Sequence, residues 1–118
     1  MDVLIKILVC VVAIEHLYFL ALEMFLWTKP IGMKTFGLKT KEFAEQTKVL
    51  AANQGLYNGF IAAGLFFGLV KQSNEILVFF LVCVTLAGIY GSYSTKKNKL
   101  FLVQGVPALI TLLLILIT

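Results

Sequence analysis

Hydrophobic and polar positions alternate along this chain on a long scale: nearly uncharged apolar stretches are separated by short, lysine-bearing ones. A helix that crosses a bilayer needs roughly 20 apolar residues, and four stretches approach that length, at about residues 3–27, 41–70, 76–93 and 100–117. The pattern predicts an all-α membrane protein in which residues 1–118 form a single domain, a four-helix transmembrane bundle. Trp27, Thr28, Lys29 and Pro30 give the first helix an interfacial aromatic, a cation and a helix stop. Residues 28–40, with Gly32, Gly37 and three lysines, are expected to be a loop on the membrane surface. Thr40 is a suitable N-cap for the second helix, with Glu42 and Glu45 near its positive end. No proline interrupts the chain from there to Val70, so this helix is expected to be one rod of about 45 Å. Lys71 to Glu75 is a tight polar turn in which Ser73 or Asn74 can cap the third helix.

Composition strengthens the membrane reading: of 118 residues, 60% are hydrophobic and 14% charged, far from the mix of a soluble domain. The net charge of +4 comes from lysine alone, which on a membrane protein sets orientation and gives no reason to expect nucleic acid as a partner. Eight lysines (29, 34, 39, 41, 48, 96, 97 and 99) fall on one side of the four-span arrangement and two (6 and 71) on the other. By the positive-inside rule the first and third connections face the cytoplasm and both termini face outward, as expected of a multi-pass membrane protein. The first segment lacks a basic n-region and a small-residue cleavage pattern, so it is expected to persist as a helix. Cys10 and Cys83 are single and lie within apolar segments, where a small core side chain is the expected role.

The unusual chemistry sits in the first span, which carries Glu15, Glu23 and the one histidine, His16. An unpaired charge in hydrocarbon costs several kcal/mol, so these groups need partners. At 100° per residue His16, Leu20, Glu23 and Trp27 share one stripe, with Glu15 and Tyr18 beside it. On the second helix Asn53, Gln54, Tyr57 and Asn58 cover an arc of about 140°. Counted inward from the cytoplasmic ends, Glu23, Asn53, Tyr90 and Gln104 share one layer, and Tyr18 lies level with Tyr57 and Asn58. An intramembrane polar cavity is therefore expected, lined by Glu15, His16, Tyr18, Glu23, Asn53, Gln54, Tyr57 and Asn58, with Trp27, Tyr90 and Gln104 as further ligand-binding candidates. The plainer reading is helix packing: membrane amides often only join helices, and Gly55 with Gly59 and Gly64 with Gly68 have close-packing spacing.

No metal site is expected, because His16 and Glu23 stand about 10 Å apart along the helix and no second histidine exists. No motif calls for a cofactor. Glu15 and His16 are the candidate catalytic residues if the chain is an enzyme, a question the sequence leaves open.

Several of these residues lie in runs that resemble a known family. Ile14-Glu15-His16-Leu17-Tyr18, Leu22-Glu23-Met24-Phe25, Trp27, Phe36-Gly37-Leu38 and, most specifically, Ala51-Ala52-Asn53-Gln54-Gly55-Leu56-Tyr57-Asn58-Gly59-Phe60 are similar to the small bacterial membrane proteins grouped as domain of unknown function 1304. The resemblance covers essentially the whole chain and implies a four-helix inner-membrane protein without implying an activity.

Three functions compete. The first is binding or transport of a small cationic or polar molecule with proton exchange at Glu15 and Glu23 and π faces from Tyr18, Tyr57 and Trp27. The second is a membrane enzyme acting on a lipid, isoprenoid or quinone-like substrate through Glu15 and His16. The third is a structural or regulatory subunit. Besides the lipid bilayer and such a ligand, the expected partner is a second copy in a parallel homodimer, because the lysine bias allows one orientation only.

Overall fold

The computed structural model describes residues 1–118 and is all helical: α1 (Val3–Phe25), α2 (Pro30–Phe36), α3 (Lys41–Val70), α4 (Asn74–Thr95) and α5 (Asn98–Ile117). Helices α1, α4 and α5 are long and apolar enough to cross a membrane. Helix α3 has 30 residues in one uninterrupted run, but Asn53, Gln54 and Asn58 dilute its apolar character.

One correction to the sequence reading concerns residues 28–40, expected to be a loop. They contain α2, and Pro30, expected to stop a helix, instead starts one as its first residue. Proline is tolerated there because the first N–H of a helix has no intrahelical partner to lose. Gly37 ends α2 with φ 65°, and two bonds close the end: Gly37 N–H to the Lys34 carbonyl at 3.3 Å and Leu38 N–H to the Met33 carbonyl at 2.9 Å. This Schellman arrangement favours glycine in the left-handed position. The other boundaries move by about two residues: α1 ends at Phe25, and α4 and α5 begin earlier than expected.

The chain divides into two compact units, Met1–Glu15 with Ile61–Thr118, and His16–Phe60. In the first, Ile5, Val9, Val12 and Ala13 of α1 join Ala62 and Leu65 of α3, Leu77, Leu81 and Val84 of α4, and Ala108, Leu112 and Ile115 of α5 in one buried cluster. Steps of three and four residues put each set on one helix face. The opposite faces expose Leu4, Ile7 and Val11 on α1, Leu86 and Ile89 on α4, and Ile110 and Leu113 on α5. Such continuous apolar surface suits hydrocarbon and not water.

Close approaches within this unit use small residues. A Cβ on Gly64 would lie 2.3 Å from the Phe80 ring, and one on Gly88 would lie 3.0 Å from the Gly105 Cα. Ser73 caps α4 by accepting from Ile76 N–H at 3.3 Å. Pro107 lies inside α5, and its carbonyl accepts from the Thr111 hydroxyl at 2.7 Å.

Candidate functional site

The unit His16–Phe60 holds the end of α1, all of α2 and the first two thirds of α3. Two glycines bring α3 against α1. A Cβ on Gly55 would lie 2.7 Å from Met24 Cγ, 3.1 Å from Glu23 Cβ and 3.2 Å from the Leu20 carbonyl oxygen, and one on Gly59 would lie 2.7 Å from Leu20 Cδ1. Residues three apart share a helix face. Asn58 is therefore delivered to the same contact as Gly55, and its Nδ2 donates to Glu23 Oε1 at 2.5 Å.

Glu23 is 2% exposed and His16 1% exposed. Both sit on the buried stripe of α1 that continues through Phe19 and Leu22, so the stripe changes from aliphatic to polar without leaving its face. The Phe19 ring meets His16 edge-on at 6.4 Å and Phe36 at 6.3 Å, and Phe36 in turn lies 4.9 Å from Trp27.

Helix α2 supplies Phe36 to this aromatic group because it folds back onto the end of α1. Gly32 makes that possible: a Cβ there would sit 1.9 Å from the Leu26 carbonyl oxygen. The Trp27 indole N–H donates to Thr47 Oγ1 at 3.0 Å, and Lys41 Nζ donates to the Thr28 carbonyl at 2.6 Å. Each bond ties the end of α1 to α3.

Of the residues singled out from sequence, the structure brings Glu23 and Asn58 into direct contact and buries His16 two turns earlier on α1, with Trp27 and Asn58 half-buried. Glu15 is partly buried, and its Oε1 is shielded from solvent without a hydrogen-bond partner. Tyr18 is 51% exposed and Tyr57 62% exposed, their rings lying 6.2 Å from Phe19 and 5.8 Å from Phe60. Asn53 and Gln54 are also exposed, and the Asn53 amide turns back to the Val49 carbonyl at 3.1 Å. Tyr90, exposed on α4, and Gln104, half-buried on α5, belong to the other unit.

Sequence reasoning passed over Phe19, Phe36 and Thr47. Thr47 could have been found from the need of a half-buried indole N–H for an acceptor. Phe36 could not, since its role depends on α2 being a helix. On the surface, the exposed pair Glu45–Lys48 meets at 3.0 Å, and Lys48 holds the Glu45 carboxyl below the usual carboxylate range.

The family model described as "Protein of unknown function (DUF1304)" matches residues 10–116. The chain is also 33% identical over 116 residues to "Uncharacterized protein YpaA" of Lactococcus lactis subsp. lactis (strain IL1403), covering 96% of this chain and 97% of that protein. No solved structure matches. The chain belongs to the DUF1304 family.

Proposed function

We propose that this member of the DUF1304 family is a multi-pass inner-membrane protein that binds a small cationic molecule at Glu23, in exchange for a proton. The observation that carries the reading is the Glu23 carboxylate, 2% exposed and met by the Asn58 amide. One neutral amide does not neutralise a buried carboxylate, so the group must hold a proton or meet a cation. Asn58 fixes one oxygen, which leaves the second to receive either. His16 and Trp27 are the further binding residues, with Trp27 positioned through its bond to Thr47. Glu15, eight residues earlier on α1, offers a second carboxyl oxygen without a partner.

In the same reading α3 is a fourth span, with Asn58 turned to Glu23 and the Asn53 amide returned to the Val49 carbonyl of its own helix. The lysine distribution places both termini outside, and a homodimer, if formed, is parallel. Fusing a cytoplasm-dependent fluorescent reporter to the C-terminus tests the orientation: it stays dark if the terminus is outside.

Titration of purified protein with tetraethylammonium, by calorimetry in buffers of differing ionisation enthalpy, tests the exchange. The expected outcome is release of about one proton per cation bound, with binding and release both lost in Glu23→Gln. Binding unchanged in that variant overturns the proposal.

A further inference from the structure

Helices α4 and α5 meet at Gly88 and Gly105, and beside that crossing they leave a groove of about 400 Å³. Its volume falls within the range of small-ligand sites, roughly 300–1,000 Å³. Thr85, Ile89, Val106 and Leu109 line the stretch deeper along the helices, and Ser92 and Asn98 line the end next to the α4–α5 turn. At that end the Ser92 hydroxyl donates to Asn98 Oδ1 at 2.7 Å.

The turn itself is cationic. Lys96 is the C-cap of α4, with φ 60°, Lys97 is the N-cap of α5 and Lys99 is the second residue of α5. All three are exposed. No acidic residue follows Glu75 in the sequence, so neither the last turns of α4 nor any part of α5 carries a carboxylate to balance them. An apolar slot that ends at a cluster of cations has the polarity of an anionic lipid: hydrocarbon along the slot, charge at its end.

We propose that this groove is a binding site for one anionic phospholipid, its acyl chain lying along Thr85, Ile89 and Val106 and its phosphate at Lys96, Lys97 and Lys99. A zwitterionic lipid brings no net negative charge to this cationic turn. A second parallel copy of the chain in the groove would set two such turns near each other, and like charges there oppose docking. The inference rests on α4 and α5 crossing the bilayer and is independent of the carboxylate site at Glu23.

The test offers full-length protein in a mild detergent equal amounts of phosphatidylglycerol and phosphatidylcholine with identical acyl chains, and counts retained lipid by native mass spectrometry. The expected result is one phosphatidylglycerol retained with a preference on the order of a hundredfold, since each of the three lysines near an anionic headgroup contributes about fivefold. The triple variant Lys96→Gln, Lys97→Gln, Lys99→Gln brings the preference close to unity. Ile89→Trp, which fills the slot, lowers retention of both lipids. If circular dichroism shows that Ile89→Trp does not fold, Val106→Phe replaces it. Glu23→Gln leaves retention unchanged, which separates this site from the carboxylate site.

Equal retention of the two lipids by the wild type overturns the proposal, as does an undiminished preference in the lysine variant. Displacement of the lipid by soluble glycerol phosphate would reduce the site to a headgroup contact and overturn the acyl-chain assignment. A slot-filling substitution that changes the oligomeric state but not lipid retention would assign the groove to a second copy instead.

Discussion

Gly55 and Gly88 solve the same problem in the two units of this protein and leave different things behind. At Gly55 the missing side chain lets α3 approach Leu20, Glu23 and Met24 of α1, and the neighbouring turn brings Asn58, whose amide closes on Glu23. At Gly88 the missing side chain lets α4 approach Gly105 of α5, but Thr85, Ile89 and Val106 beside it do not fill the space along the crossing, and a groove results. A glycine contact between helices thus sets a distance. The residues one turn away decide whether that distance yields a hydrogen bond or an empty slot.

Substitutions at the two crossings are expected to separate. Gly55→Leu should have the largest effect, about 3 kcal/mol of stability in denaturant melts in detergent, because the first carbon already meets Met24 Cγ at 2.7 Å, Glu23 Cβ at 3.1 Å and the Leu20 carbonyl at 3.2 Å, leaving no room for three more. Asn58→Leu should follow at about 2 kcal/mol, since it leaves the Glu23 carboxylate buried without its donor. The double variant Glu23→Leu, Asn58→Leu should recover part of that loss, and a double-variant loss equal to the sum of the two single-variant losses would show that the pair is not coupled.

Gly88→Ala should cost about 1 kcal/mol, its methyl pressing on the Gly105 backbone. Gly105→Ala is the sharper control. Its Cβ would meet Gly88 Cα at 3.5 Å, an ordinary contact, so the helical preference of alanine should show through as a gain of about 0.5 kcal/mol. A loss equal to that of Gly88→Ala would mean that the two sides of the crossing are equally tight.

The smallest effect is expected outside both crossings, where Lys48→Ala should leave the melting curve unchanged although it removes the ion pair with Glu45. The sign follows from the lowered Glu45 pKa: any stability it contributes is present above the unfolded-state pKa and is lost as pH falls through the lower folded-state value. Wild type and variant should therefore differ, if at all, only above the carboxylate titration range, and should converge in acid.

The long elements were legible in the sequence because each rests on local chemistry. Apolar runs, the Thr40 and Ser73 caps and the absence of proline between Thr40 and Val70 are properties of consecutive residues, and α1, α3, α4 and α5 follow from them with ends shifted by about two residues. Helix α2 was not legible, because Pro30 reads equally well as the end of one helix or the start of another. The choice is made by Gly32 docking on the Leu26 carbonyl and by the closing bonds at Gly37.

Within the candidate site, face and depth reasoning placed Glu23 level with α3 but could not say which amide would reach it. Asn53 and Asn58 have the same chemistry. One bonds its own backbone at Val49 and the other bonds Glu23, and the difference is that Asn58 shares a helix face with Gly55.

By itself the sequence determined the all-helical class, the DUF1304 family and the fact that α1 carries acidic groups in need of partners, and of the four spans it predicted, three are helices long and apolar enough to cross a membrane. The tertiary structure alone decided that Asn58 is the partner of Glu23, that Phe36 closes over Phe19 and Trp27, and that α4 and α5 leave a groove ending at lysines. The physical reason is that propensity, capping and hydropathy act between near neighbours in the chain. Where two helices touch is set by side-chain volumes tens of residues apart, such as those at Leu20 and Gly55, whose fit only the folded chain reveals.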